Sequence, residues 1–271
     1  MEEIRKLQLE ELKMLKELIK FYEKYNLKYF MLGGTLLGAI RHKGFIPWDD
    51  DIDIGMPRED YEKFIKIFSK SKIKNMKLKK FKQHYFIKIV NENILVKLKM
   101  GIQEEITGVW IDIFPLDGMP KNIFFKKIHM FKILFWRAMF QFANFDKAVN
   151  ITLKNRPIHE KILIELGKKF RIESILKNLN IEYYLDKCLK KYNYKTSEYV
   201  GNFMGVYKFK EMFPKKIYDD IAEYEFEGIK LIGPKDYDFV LKQLYGDYMK
   251  LPPLNERNKH KSELITKEVN L

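Results

Sequence analysis

The stretch Tyr29–Met56 reads YFMLGGTLLGAIRHKGFIPWDDDIDIGM, and its second half alternates strictly: Asp51, Ile52, Asp53, Ile54. Successive side chains of a strand point to opposite faces, so Asp51 and Asp53 share one face and Ile52 and Ile54 the other. The isoleucines can enter a core while two carboxylates stand side by side at the strand surface. Like charges placed this way raise each other's pKa unless a cation sits between them. Oxygen ligands of this kind suit Mg²⁺ or Mn²⁺, which keep waters and take remaining ligands from substrate phosphates. A solvated acidic turn at Asp49-Asp50-Asp51 is the plainer reading, but such a turn has no use for alternating isoleucines.

The first half supplies a partner for that strand. A short strand over Leu27–Leu32 ends in Gly33-Gly34-Thr35 and runs into a helix over 36–42 that Thr35 is placed to cap. Backbone N–H groups at such a helix start accept anions, phosphate included. A Gly-Gly pair alone is usually only a turn. Set close before a metal-binding strand, it makes a phosphate pocket beside a metal. Arg41, His42 and Lys43 follow and add cationic contacts, with Arg41 the strongest candidate. Asp112 in GVWIDIF (108–114) repeats the isoleucine-flanked pattern. In a neighbouring strand it would face the same metal, as a ligand or as acceptor of a proton from an attacking hydroxyl, with Asp117 as the alternative.

Outward from this core the pattern continues as a helix over 3–25 and another over 58–70 after Pro57. Strands are expected at 83–90, 94–100 and 108–114, then a helical, basic stretch from about 120 to 195. A strand-like run at 198–207, a hairpin at 223–232 and a last helix at 235–249 follow. This order predicts an α+β (mixed α/β) chain around a mixed sheet. Three regions are expected: a catalytic core at 1–120, a helical insertion or subdomain at 121–195, and a C-terminal part at 196–271 that completes the core.

Composition narrows the partners. With 46% apolar and 15% aromatic residues the chain is not disordered, and Cys188, its one cysteine, excludes an internal disulfide. No uninterrupted apolar window of about 18 residues suggests a membrane span, and residues 1–20 lack the pattern of a signal peptide; the cytoplasm is the expected compartment. The net charge of +14 favours anionic partners. The lysines are spread along the chain without a stripe or a recognisable module, so nucleic acid is not the expected partner. Residues 124–142 (FFKKIHMFKILFWRAMFQF) read by default as a helix buried within the protein, with a membrane-interface helix as the alternative.

The longer wording GGTLLGAIRHKGFIPWDDDIDIGMPREDYEKF (33–64) resembles the LicD family of phosphorylcholine transferases, to which the fukutin-type ribitol-phosphate transferases are related. WIDIFPLDG (110–118) and YGDYMKLPPLNERNKH (245–260) agree with it. The resemblance implies a nucleotidyltransferase-like core sheet with flanking helices. It implies transfer of phosphocholine from CDP-choline to a sugar hydroxyl of a cell-surface glycan or teichoic-acid precursor, with release of CMP. Asp51 and Asp53 would then bind Mg²⁺ with Asp112 as the third acidic residue, and Gly33, Gly34 and Thr35 would hold donor phosphate. Arg257 and His260 match the family's closing motif. Choline's quaternary ammonium calls for aromatic faces or a carboxylate, for which Trp48 and Trp110 are candidates beside an anchoring role of their own. Peripheral association with the inner membrane face follows from a lipid-linked glycan acceptor. The competing activity is that of a conventional nucleotidyltransferase, moving a nucleoside monophosphate onto a small molecule, sugar or protein.

Overall fold

The computed structural model describes residues 2–71, 73, 75–81, 84–100, 103–144, 165, 176, 179–254, 257 and 262–265. Helix α1 (Glu2–Lys24) buries Leu7, Leu12, Leu15, Leu18 and Phe21, the three- and four-residue spacing of an amphipathic helix, and packs on the sheet. Strand β1 (Phe30–Met31) leads into helix α2 (Gly33–His42), and β2 (Asp53–Pro57) into α3 (Arg58–Phe68). Then come β3 (Lys77–Lys80), β4 (Ile87–Met100) and β5 (Gln103–Met119). Helices α4 (Ile123–Ala143) and α5 (Ile181–Leu189) precede β6 (Tyr199–Gly201), β7 (Met212–Pro214) and the short α6 (Lys216–Asp219). The hairpin β8 (Ile221–Phe226)–β9 (Ile229–Pro234), helix α7 (Tyr237–Tyr245) and β10 (Ser262–Ile265) complete the chain.

Eight strands form one mixed sheet along β1-β2-β5-β4-β10, with β3 paired to β4 and β6 and β7 extending from β5. The pairing that matters is β2 with β5, which is parallel and sets Asp53 opposite Asp112 and Ile54 opposite Ile113. Strand β4 lies antiparallel on the other side of β5, with Lys88 opposite Asp112 and Val90 opposite Trp110. Ile52, Ile54, Ile111 and Ile113 are all fully buried, so the isoleucine alternation anchors both strands in one core.

Three local expectations need correction. The two strands read at 83–90 and 94–100 are one strand, β4, interrupted by a register shift between Asn91 and Leu95. The run at 198–207 pairs only over Tyr199–Gly201. There the side chain of Asn202 accepts from the N–H groups of Met204 and Gly205 and turns the chain out of the sheet. Helix α4, read by default as buried, buries only Lys126, His129, Ile133 and Phe140. That edge joins α5 in a second apolar cluster, while Phe124 and Phe131 are 64% and 70% exposed. No helix among the described residues is long and apolar enough to cross a membrane. Most of the expected helical stretch between 145 and 178 lies outside the described residues.

Candidate active site

The sheet brings the predicted carboxylates together. Oxygens of Asp51, Asp53 and Asp112 all lie within 4.8 Å of one another, and so do oxygens of Asp49, Asp50 and Asp51. Asp51 belongs to both groups. The acidic loop is held from two sides. The Gln8 side-chain amide donates to the carbonyl oxygens of Ile46 (3.1 Å) and Asp49 (2.8 Å). From the other side, Glu227 in the β8–β9 turn accepts from the Phe45 N–H and pairs with Arg5 at 2.7 Å. Burial pushes the Asp53 carboxyl well above the usual carboxylate range, helped by Asp51, Asp112, Asp49 and Glu211.

The glycine turn faces this cluster. Helix α2 begins at Gly33 with Leu32 as its cap residue, and no side chain caps it. Thr35, expected to cap, instead lies buried in the first turn and accepts from the Asp53 N–H at 2.8 Å. The hydroxyl therefore ties the helix start to β2. Gly33 has φ +45°, which favours glycine. A Cβ on Gly34 would come within 2.6 Å of Asp49 Oδ2, and one on Gly33 within 3.3 Å of Asp53 Oδ2. Two carboxylates thus lie directly against the positive end of α2, where N–H groups and helix dipole favour anions.

Ligand oxygens on a single Mg²⁺ lie about 3–4 Å apart. One oxygen from each of Asp51, Asp53 and Asp112 lies within 4.8 Å of the other two, close enough for a single ion to draw them to that spacing. Their chemistry, all oxygen and anionic, fits Mg²⁺ or Mn²⁺ better than softer metals.

The remaining candidates sort by distance. Arg41 donates to the Tyr248 carbonyl at 2.6 Å, and with Arg257 nearby the two guanidiniums form a cationic rim at the far end of α2. Arg257 stacks on Trp48 with its guanidinium carbon 4.5 Å from the ring centroid, and His42 meets the same ring edge-on. Trp110 is buried in the core with the Lys88 ammonium 4.7 Å from its ring centroid. Its place is that of an anchoring aromatic more than of an open cage. His260 lies outside the described residues. Asp117, the alternative third carboxylate, takes a two-pronged bond from the buried Arg58 at 2.7 and 2.5 Å and belongs to neither carboxylate group. A cleft of about 1080 Å³ opens near Arg58, Tyr61, Tyr85, Phe86 and Tyr183, away from the carboxylates.

Sequence reasoning missed three residues. Lys88 is buried, and its Nζ lies 2.8 and 3.0 Å from the two Asp112 oxygens. Its signal was a lone lysine inside the apolar run FIKIV. The Tyr245 hydroxyl stands near Gly33, beside Tyr207, and its charge environment includes Asp53. Glu11 is a fully buried carboxylate on α1 that feels Asp51, Asp50, Asp49 and Asp112, and burial above all holds it well above its ordinary pKa.

The comparisons with known proteins agree with this geometry. A family model described as LicD/FKTN/FKRP, nucleotidyltransferase domain, matches residues 26–161. The lipopolysaccharide cholinephosphotransferase LicD of Haemophilus influenzae is 31% identical over 253 residues, 88% of this chain and 88% of its own. An uncharacterised protein of Rickettsia typhi is 46% identical over 59 residues, 22% of this chain and 19% of that protein. Human ribitol 5-phosphate transferase FKRP is 50% identical over 38 residues, 14% of this chain and 8% of that protein. A domain model spanning half the chain, and a relative aligned along most of both lengths, lead to one conclusion: the chain belongs to the LicD/FKTN/FKRP family and carries its nucleotidyltransferase domain.

Proposed function

We propose that this chain transfers a phospho-substituent, phosphocholine first among the candidates, from a CDP-linked donor to a hydroxyl of a cell-surface glycan or its lipid-linked precursor. The observation that carries the reading is the convergence of Asp51, Asp53 and Asp112 within 4.8 Å against the N-terminus of α2. The cholinephosphotransferase activity in the name of the Haemophilus relative supports the choice of donor, and the ribitol 5-phosphate transferase name supports the wider class.

In this reading Asp51 and Asp53 hold a divalent cation and Asp112 completes the set. The cation, when bound, supplies positive charge that offsets the donor diphosphate. Gly33, Gly34 and the first-turn N–H groups of α2 bind donor phosphate oxygens, and Arg41 and Arg257 are placed to attract the anion from the rim. The acceptor oxygen forms a bond to the phosphorus that carries choline, the bond from that phosphorus to CMP breaks, and the hydroxyl proton passes to a carboxylate of the cluster. Positioning and fixed charge then supply most of the acceleration. The exposed face of α4, with Phe124, Phe125, Phe131 and Phe135 beside Lys127 and Lys132, supports peripheral contact with an anionic membrane where lipid-linked acceptors reside.

The test is CMP release from CDP-choline, CDP-ethanolamine and CDP-ribitol, with Mg²⁺ or with EDTA, in the presence of a glycan extract and beside Asp53→Ala. Metal-dependent release that disappears in the variant supports the proposal, and the preferred donor names the group. Transfer of nucleoside monophosphate from CTP or ATP, without release from any CDP donor, would replace it with the conventional nucleotidyltransferase.

A further inference from the structure

The cleft of about 1080 Å³ between α3 and α5 has a lining unlike the rest of this chain. Its charged groups are Arg58, Lys80 and Lys190 against Glu62, Glu182 and Asp186, three of each sign. They pair among themselves. Lys190 meets Asp186 at 2.6 Å and also Glu62, Lys80 lies 3.8 Å from Glu182, and Arg58, already held by Asp117, lies 3.7 Å from Asp186. His84 adds no charge, because burial, with Lys88 nearby, lowers its imidazole to about 3. In a chain of net charge +14 this lining is close to neutral.

A pocket for a diphosphate carries an excess of positive charge, and one for a cation an excess of negative charge. Neither description fits. The cleft offers aromatic faces, from Tyr61, Phe81, Tyr85, Phe86 and Tyr183, beside polar groups whose charges are already offset. Such rings cover the apolar C–H faces of a sugar, while the paired ions still donate to and accept from its hydroxyls. That is the chemistry of a site for a neutral oligosaccharide. The carboxylate cluster is not part of the lining, but one wall joins it. The Phe86 ring, just before β4, lies 4.2 Å from the Phe114 ring and 5.5 Å from the Lys88 ammonium, which pairs with Asp112. Phe114 follows Asp112 by two residues on β5, roughly 7 Å along a strand. A glycan whose reacting hydroxyl sits at the cluster therefore has its neighbouring sugars within reach of this wall. We propose that the α3–α5 cleft binds the neutral sugar residues flanking the reacting one, and so selects which glycan is modified. The inference rests on the reading of the acceptor as a glycan.

The experiment uses the full-length protein with Tyr183→Ala, which removes a ring, and Glu182→Trp, which crowds the cleft. Both side chains are exposed, so both variants are expected to melt as the wild type does. Neutral oligosaccharides released by mild acid from the glycan extract are the probe, read by saturation-transfer NMR without any donor. Wild type and Asp53→Ala are expected to saturate the sugar ring protons, and both cleft variants to lose most of that signal. In the CMP-release assay the cleft variants should raise the KM for the acceptor by at least about tenfold, with the KM for the donor within about twofold of wild type. No saturation in the wild type, or equal saturation in the wild type and the cleft variants, overturns the proposal. So does a rise in the donor KM with the acceptor KM unchanged, which would give the cleft to the donor. Saturation lost in the cleft variants, without CMP release from any CDP donor, keeps the sugar site and removes only the proposed transfer.

Discussion

The Lys88 ammonium lies 2.8 Å from Asp112 Oδ1 and 3.0 Å from Oδ2, in register across the antiparallel pair β4–β5. On its other side Asp112 is the register partner of Asp53 across the parallel pair β2–β5. Three neighbouring strands thus present ammonium, carboxylate and carboxylate in one row. The row explains how Asp112 is kept in a buried position amid other anions: Lys88 offsets part of its charge, and a cation held at the Asp53 side would offset more.

Lys88→Met should therefore weaken the protein and its dependence on metal together. Removing one partner of a buried pair typically costs about 3–5 kcal/mol. A melt in EDTA should show most of that loss, and saturating Mg²⁺ should restore part of it by taking over the charge of Asp112. CMP release should fall by about tenfold or more. A loss of equal size with and without Mg²⁺ would make Lys88 a strut and nothing more.

Thr35 gives a smaller and cleaner effect. Its Oγ1 accepts the Asp53 N–H at 2.8 Å, so Thr35→Val leaves that half-buried N–H without its acceptor. The expected cost is about 1–3 kcal/mol in denaturant unfolding. Thr35→Ser, which keeps the hydroxyl, should behave as wild type in both stability and CMP release. If the valine variant retains full stability, the hydroxyl is not what ties α2 to β2.

How much of this was legible in the sequence depends on what kind of information fixed it. The Asp51–Ile54 alternation is local and periodic, and it correctly placed two carboxylates on one face and two isoleucines at 0% exposure. Asp112 carried the same local signature, but nothing local says that β5 lies beside β2. That pairing is a contact between residues 59 positions apart, Asp53 and Asp112. Lys88 was hidden for the same reason: only the β4–β5 register distinguishes it from a lysine reaching to solvent. Glu11 did leave a trace, as an acidic residue between Gln8 and Leu12 on the buried stripe of α1, but a stripe is seldom read for what breaks it. Thr35 was misjudged because Ser and Thr before a helix usually cap it. Here the helix starts three residues sooner, on glycines that no side chain caps.

Asp117 separates structure from chemistry by a third variant. Its carboxylate receives both prongs of Arg58 and is 1% exposed, while Asp186 stands 3.7 Å from the same guanidinium. Asp117→Asn leaves Arg58 short of its main counter-charge, and a loss of about 3–5 kcal/mol in stability is expected. Its Mn²⁺ affinity, measured on the folded fraction, should stay within about twofold of wild type. A large loss of Mn²⁺ affinity with little loss of stability would restore Asp117 as a metal ligand.

Glu211 sets the expected response to pH. Burial lifts its carboxyl from an ordinary 4.5 to about 7, against the opposing pull of hydrogen bonds from Asn202 and the Tyr207 backbone and the charge of Arg137. The folded chain therefore holds this proton at pH values where the unfolded chain has released it. Stability from Glu211 is full below about pH 4.5, declines as pH rises through the window to about 7, and is gone above it. The size is roughly 3 kcal/mol at most across the window. Asp53 is shifted in the same direction, so the wild type in EDTA should lose stability with rising pH from both groups. Glu211→Gln isolates one of them: denaturant unfolding between pH 4 and 8 should show a shallower decline than wild type, with the difference developing between about pH 4.5 and 7. Parallel curves for the two proteins would show that Glu211 titrates in the folded chain as it does in the unfolded one, and that burial at this position does not hold its proton.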